Sequence, residues 1–276
     1  MGALLLLALA TDVSAQAVVS MGHVHYRVRD VEANARFWTS LGGRAADVPA
    51  TIAAAMAPGQ PRAALRFESV FVVLERGEPA GGTDGSTLAH VAFRVPRFAD
   101  LEARGLTVQR LAQFPGVGFV TSPEGERIEL FEDAATNLTF TRDDGQPHTP
   151  LTNRHNQPVG VPIVFHHAHL YVPAGAVAEA KAWYARAFAG VPGKRSQYDA
   201  VDLPGINFNF SAAPKPTVPT KGRAVEHLGL QVRGLEALCT RLAMMGIAFE
   251  VPYTPAGNGA YARFVDPWGV GIELTE

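Results

Sequence analysis

Cysteine is nearly absent from this chain. Cys239 is the only one in 276 residues, so no intramolecular disulfide can brace the fold. It falls in a helix-like stretch, Leu235 to Met245, where it is expected as a small core residue. A charge bias is also missing. The formal net charge of −2 gives no electrostatic reason to expect nucleic acid. No long hydrophobic run occurs: Ala3 to Ala10 is too short to span a bilayer. Low-complexity tracts are absent, and apolar content is ordinary for a globular protein. At this length the chain accommodates two domains of about 110 residues each.

The short apolar run is followed by Val13-Ser14-Ala15 before Gln16, a small-residue cleavage pattern, although Met1-Gly2 lacks a basic residue. Residues 1–15 are therefore expected to be a signal peptide, and the mature protein periplasmic or secreted, without a membrane span. The other reading of this segment starts the chain at Met21.

Histidine is what the chain does have. Seven of its nine histidines lie at the start of four similar apolar segments. Gly22-His23-Val24-His25-Tyr26-Arg27-Val28 lines up with His166-His167-Ala168-His169-Leu170-Tyr171-Val172. Leu88 to Val95, with His90, lines up with Val225 to Val232, with His227. Pro123-Glu124-Gly125-Glu126-Arg127-Ile128-Glu129-Leu130 lines up with Pro267-Trp268-Gly269-Val270-Gly271-Ile272-Glu273-Leu274. The chain thus reads as four modules, roughly 22–76, 86–133, 163–213 and 222–276, in two repeated halves. The halves are taken as domains 22–133 and 163–276.

Within each module a strand leads into a helix and further strands. His23, His25 and Arg27 alternate with Val24, Tyr26 and Val28, a period of two. Asp30 can cap a helix with Phe37, Trp38 and Leu41 on its apolar face, closed by Gly42-Gly43. Phe67 to Glu75 is strand-like, and helices are expected near Phe98 to Arg104, Gly175 to Phe188 and Leu235 to Met245. Residues 134–162, rich in Pro, Asn, Asp and Gly, read as a linker. His148 and His155 within it are expected to be solvated.

The repeated residues form two triads, His23, His90, Glu129 and His167, His227, Glu273. Two imidazoles and a carboxylate are the ligand set of a metal site with open coordination positions. Because side chains alternate along a strand, His23 and His25 should share a face, as should His167 and His169, with His166 turned the other way. A glutamate between Ile272 and Leu274 is costly in a buried strand unless it meets a cation or solvent. The competing reading is a duplicated fold in which one triad has become structural. Ligand type leaves Fe, Mn, Ni and Zn open.

These residues resemble the vicinal oxygen chelate superfamily, which includes glyoxalase I, type I extradiol dioxygenases, fosfomycin-resistance and bleomycin-binding proteins. The resemblance rests on the four modules, the histidine on each first strand and the Pro-x-Gly-x-x-Ile-Glu-Leu ending, and covers nearly the whole chain past residue 21. It implies an α+β fold of four βαβββ modules paired into two cup-shaped curved sheets, first with second and third with fourth. Glyoxalase I has a second glutamate on the last strand of its first module. Phe71 to Leu74 and Ile206 to Phe210 supply no carboxylate there. The two-His, one-Glu set instead resembles the extradiol enzymes, whose C-terminal module pair holds iron. Their signature tyrosine position carries Arg263 here, and their histidine is missing between Val251 and Arg263.

The expectation is an exported, metal-dependent, dioxygenase-like enzyme, with Fe(II), or Mn, Ni or Zn, held by His167, His227 and Glu273. The possible second site is His23, His90 and Glu129. The small-molecule substrate would chelate through two neighbouring oxygens. His169 and Tyr261 are candidate catalytic groups, and Arg263 is the candidate for binding an anionic substrate. The alternatives are a small-molecule sequestering module, or a metal-dependent isomerase or lyase.

Overall fold

The computed structural model describes residues 17–132, 139–149 and 163–276. The expected signal peptide, His155 and most of the 134–162 linker lie outside them. Four repeats of one βα-then-β pattern build the molecule. The first contains β1 (Val18–Val28), α1 (Val31–Leu41), β2 (Arg44–Ala46), α2 (Ala50–Ala55), β3 (Arg62–Arg66) and β4 (Phe71–Arg76). The second contains β5 (Leu88–Val95), α3 (Phe98–Glu102), β6 (Gln109–Leu111), β7 (Phe114–Thr121) and β8 (Arg127–Glu132). A short β9 (Phe140–Arg142) follows. The third contains β10 (Val164–Val172), α4 (Val177–Phe188), β11 (Val191–Arg195), β12 (Tyr198–Leu203) and β13 (Ile206–Ala212). The fourth contains β14 (Val225–Arg233), α5 (Leu235–Met244), β15 (Phe249–Ala256), β16 (Gly259–Val265) and β17 (Gly271–Thr275).

Local chemistry sets the boundaries of these elements. Asp30 accepts a hydrogen bond from the Ala33 N–H and starts α1, and Gly42, at φ 121°, ends it. Trp38 and Leu41 are fully buried, each stabilising the fold by roughly 1.5–3 kcal/mol. The expected strand from Phe67 begins only at Phe71. The Phe67 N–H bonds back to the Val70 carbonyl at 2.9 Å, so those residues form a turn. Cys239 is buried in α5, and burial pushes its thiol up to about 11, as suits an inert core residue. None of the described helices is long and apolar enough to cross a membrane.

The strands form two mixed sheets, ordered β15-β16-β17-β14-β1-β4-β3-β2 and β6-β7-β8-β5-β10-β13-β12-β11-β9. This corrects the expected pairing. The first module pairs with the fourth through antiparallel β1 and β14, and the second with the third through antiparallel β5 and β10. The chain crosses between sheets along two connectors that brace each other. The Ala80 N–H bonds to the Gly222 carbonyl, the Ala224 N–H to the Gly81 carbonyl, and Arg223 Nε to the Gly82 carbonyl, all at 2.8–2.9 Å. Between the second and third modules, the described β9 pairs with β11 in the second sheet. His148 in this region is not solvated: its Nε2 lies 2.7 Å from Asp202 Oδ2, with the side chain 4 % exposed.

One continuous apolar core serves both sheets. Val24, Tyr26 and Val28 point into it, which leaves His23, His25 and Arg27 on the opposite face of β1. Trp38 of α1 reaches Phe93 of the other sheet, with ring centroids 5.9 Å apart. Tyr184 of α4 donates to Asp266 at 2.6 Å, which ties the third module to the fourth. Each sheet therefore presents its histidine-bearing face away from a shared core.

Candidate metal centres

In the second sheet, β5, β8 and β10 bring His90, Glu129 and His167 together. His90 Nε2 lies 3.0 Å and His167 Nε2 3.3 Å from Glu129 Oε2, and the two nitrogens are 3.4 Å apart. Donors about 2.1 Å from a shared cation, at right-angled to tetrahedral geometry, stand about 3.0–3.4 Å from one another. The residues present therefore fit a divalent ion without rearrangement. Burial pushes the Glu129 carboxyl up, but the hydrogen bonds and charges of His167 and His90 outweigh it and hold the group well below the usual carboxylate range. Burial lowers the His167 pKa, which keeps that imidazole neutral and its lone pair available.

Two more histidines support this group. His166 Nδ1 lies 2.8 Å from His167 Nδ1. If His167 uses Nε2 as a ligand, its Nδ1–H donates and His166 accepts, an outer contact that fixes ring orientation. His166 was expected to point the other way. A β-bulge between Phe165 and His167 in the β10–β5 pairing breaks the alternation and turns it toward the site. His169 shares the face of His167, as expected, and its Nε2 lies 2.8 Å from Ser211 Oγ. Burial, together with His90 and His167, drives its pKa down to about 2.

A cup of about 440 Å³ stands over these residues, walled by Phe114, Val117, Phe119, Phe131, Tyr171 and Tyr198. Phe114 is 60 % exposed at the rim. The His90 and Glu129 side chains remain 14 % and 13 % accessible, so a ligand can reach them.

In the first sheet, the equivalent positions hold His23, His227 and Glu273. His23 Nε2 is 3.4 Å from Glu273 Oε1, and His227 Nε2 is 3.6 Å from Oε2. His25 stacks on His227 at 4.4 Å and pairs with Glu75 Oε2 at 3.2 Å. Glu75 is thus a carboxylate just beyond Phe71 to Leu74, but it serves His25 rather than the triad. Arg263 places Nη2 2.7 Å from Glu273 Oε2 and 3.2 Å from the Ala55 carbonyl of α2. None of His23, His25, His227 and Glu273 exceeds 1 % exposure.

Two sequence differences separate the sites. In the first module, residues 47–61, containing α2, join β2 to β3, and Ile52 and Met56 pack onto Val73 over the histidine-bearing face. In the third module, Ser196 and Gln197 alone join β11 to β12, so among the described residues no comparable insertion covers the second site. Arg263 lies opposite Glu273 on the neighbouring strand, and the matching position opposite Glu129 is Phe119.

The expected triads are therefore recombined. His227 and Glu273 do converge, but with His23, while His167 lies in the other sheet with His90 and Glu129. Of the other candidates, His169 stands in the open cup. Arg263 is engaged with Glu273 in the closed site and is not placed to meet a substrate there. Tyr261 is two residues along β16, opposite Thr275, in the sheet without the open cup. Sequence reasoning turned His166 away from the site and missed Ser211 and Arg127. Arg127 sits beside His90 and Tyr171 around a smaller recess, its guanidinium 3.9 Å from the Phe119 ring centroid. The signal for Arg127 was its place two residues before Glu129 on the repeated strand.

Comparison with known proteins bears on the fold. The Glyoxalase/Bleomycin resistance protein/Dioxygenase superfamily model matches residues 165–274. A sequence search of curated proteins gives no significant match. Among solved structures, the chain resembles glyoxalase I from Zea mays at 17 % identity and a TM-score of 0.61, over 94 % of this chain and 93 % of that one. A candidate dioxygenase from Bacillus subtilis superposes with a TM-score of 0.64 at 13 % identity, over 93 % of this chain and 84 % of that one. At these identities the likeness establishes the shared fold. The family match places residues 165–274 in the glyoxalase, bleomycin resistance and dioxygenase superfamily, and the whole chain shares the paired-module fold of the structures it resembles.

Proposed function

We propose that the chain is a metal-dependent enzyme whose reaction takes place in the open cup of the second sheet, with the metal held by His90, Glu129 and His167. One observation carries this reading: three donor atoms within 3.0–3.4 Å of one another at the floor of an accessible cup of about 440 Å³. A divalent ion held there, Fe(II) in the dioxygenase-like reading and Mn, Ni or Zn otherwise, would supply Lewis-acid chemistry to a small substrate that offers two neighbouring oxygens. His169, held by Ser211 on the cup floor, orients a substrate hydroxyl by a hydrogen bond, its basicity being too far lowered by burial to take the proton. His166 keeps the His167 ring in register. Phe119, Phe131, Tyr171 and Tyr198 bind the body of the substrate and exclude water. Arg127, stacked on Phe119 near His90, replaces Arg263 as the group that meets a substrate anion. Export rests on the sequence of residues 1–15.

The test is oxygen uptake by Fe(II)-loaded protein against a panel of vicinal diols, including catechols. Turnover is expected in the wild type and in His227→Ala, and is expected to be lost in His90→Ala and in His167→Ala. Equal activity in His90→Ala would remove the second-sheet site from the reaction. Turnover without oxygen consumption would move the chemistry to an isomerase or lyase. The metal and cup assignments would survive that outcome.

A further inference from the structure

The two sites are built on the same plan, and the difference in their charges asks for an explanation. Glu129 faces His90 and His167, which are neutral imidazoles when they act as ligands. Among the described residues its carboxylate is therefore paired with no arginine or lysine. A carboxylate in that setting calls for a cation. Glu273 is more deeply buried, at 1 % exposure, but it is already paired with Arg263 at 2.7 Å. The arginine in turn is anchored on the α2 backbone through the Ala55 carbonyl at 3.2 Å. Yet the donors of a metal site are present around Glu273. Both ring nitrogens of His23, both of His227 and Oε1 of Glu273 are buried without a hydrogen-bond partner. Gly229 lets the His23 ring lie flat on the sheet, since a Cβ there would stand 1.9 Å from His23 Cε1.

We propose that His23, His227 and Glu273 form a latent metal site kept empty by Arg263, which acts as the fixed cation in place of a divalent ion. Bringing a dication into the same closed space would set two like charges around one carboxylate, with little solvent to screen them. The fold does not require an arginine here, because the corresponding position in the open site is Phe119, and the neighbouring carboxylate there keeps its need for a metal. The chain should therefore carry one metal ion, in the open site, although it contains two triads.

The experiment counts bound Co2+ by elemental analysis after dialysis and reads its visible absorption. Wild-type protein is expected to bind about one equivalent, and the double variant His90→Ala with His167→Ala about none. Arg263→Met is expected to bind about two equivalents, the second lost again on adding His227→Ala. Arg263→Lys, which keeps the charge, is expected to stay at the wild-type count. The proposal is overturned if the His90→Ala, His167→Ala double variant retains an equivalent that His227→Ala then removes. It is also overturned if folded Arg263→Met gains nothing. Should Arg263→Met fail to fold, the double variant with Arg263 intact still decides the matter. Failure of the open-site reading looks different: the wild type binds no ion, while Arg263→Met binds one that depends on His227.

Discussion

Replacing His166 by alanine should weaken metal binding at the open site without unfolding the protein. His166 Nδ1 and His167 Nδ1 are 2.8 Å apart, and burial holds the His166 pKa well below that of a free histidine. His166 is thus neutral at pH 7 and can accept the His167 Nδ1–H. With alanine there, that N–H loses its partner next to the packed ring of Phe131. An unsatisfied buried donor costs about 1–3 kcal/mol, and much of this falls on the state in which Nε2 must face the metal. Loss of comparable outer contacts weakens metal affinity by about 10–100-fold, which is the expected range here. The assay is competition for Co2+ against a chromogenic chelator at pH 7, with far-UV circular dichroism to confirm the fold. An affinity within about twofold of wild type would show that His167 is oriented by the sheet alone, and the outer role of His166 would fall.

Gly229→Ala should destabilise the first sheet by about 1–3 kcal/mol, measured by urea unfolding, because the added methyl collides with the fully buried His23 ring; a neutral result would mean the ring swings away freely. Asp266→Asn should change the pH dependence of stability. Burial raises the Asp266 pKa to about 6 from an ordinary 3.8, so the folded state binds the proton more tightly than the unfolded one. The stability tied to that proton is complete below about pH 4 and is lost as pH rises through about 6, a change on the order of 3 kcal/mol. The wild-type stability relative to the variant should therefore fall by that order between pH 4 and pH 7, and parallel profiles would refute the assignment. Arg127→Ala should raise KM for anionic diols several-fold more than for neutral ones; equal effects on both would place Arg127 outside substrate recognition.

Much of this fold was legible because it repeats. The period-two pattern of β1, the Asp30 cap and the glycine end of α1 are local signals, and each held. Which modules share a sheet was not legible. All four first strands offer similar edges, so first-with-fourth and second-with-third satisfies the repeat as well as the pairing expected from chain order. That ambiguity misplaced one histidine in each triad while leaving each His–Glu pair, His90 with Glu129 and His227 with Glu273, correct. The bulge that turns His166 inward lies beyond an alternation argument, since one extra residue reverses the face of what precedes it.

The difference between the two sites could have been anticipated in part from loop length. Residues 47–61 in the first module have only Ser196 and Gln197 as their counterpart in the third, and an insertion beside a strand bearing ligands must either cover them or leave the molecule. It covers them, because Ile52 and Met56 are apolar and find Val73 on that face. Once covered, the buried Glu273 needs a positive partner that solvent cannot supply, and Arg263 provides it from the next strand. The open site faces the opposite requirement. Water and small molecules reach Glu129, so a removable cation can serve where a fixed one would block the cup. Closure and the arginine therefore belong together, as do openness and Phe119. A variant that shortens 47–61 while keeping Arg263 should still reject a second metal, which separates the effect of charge from that of access.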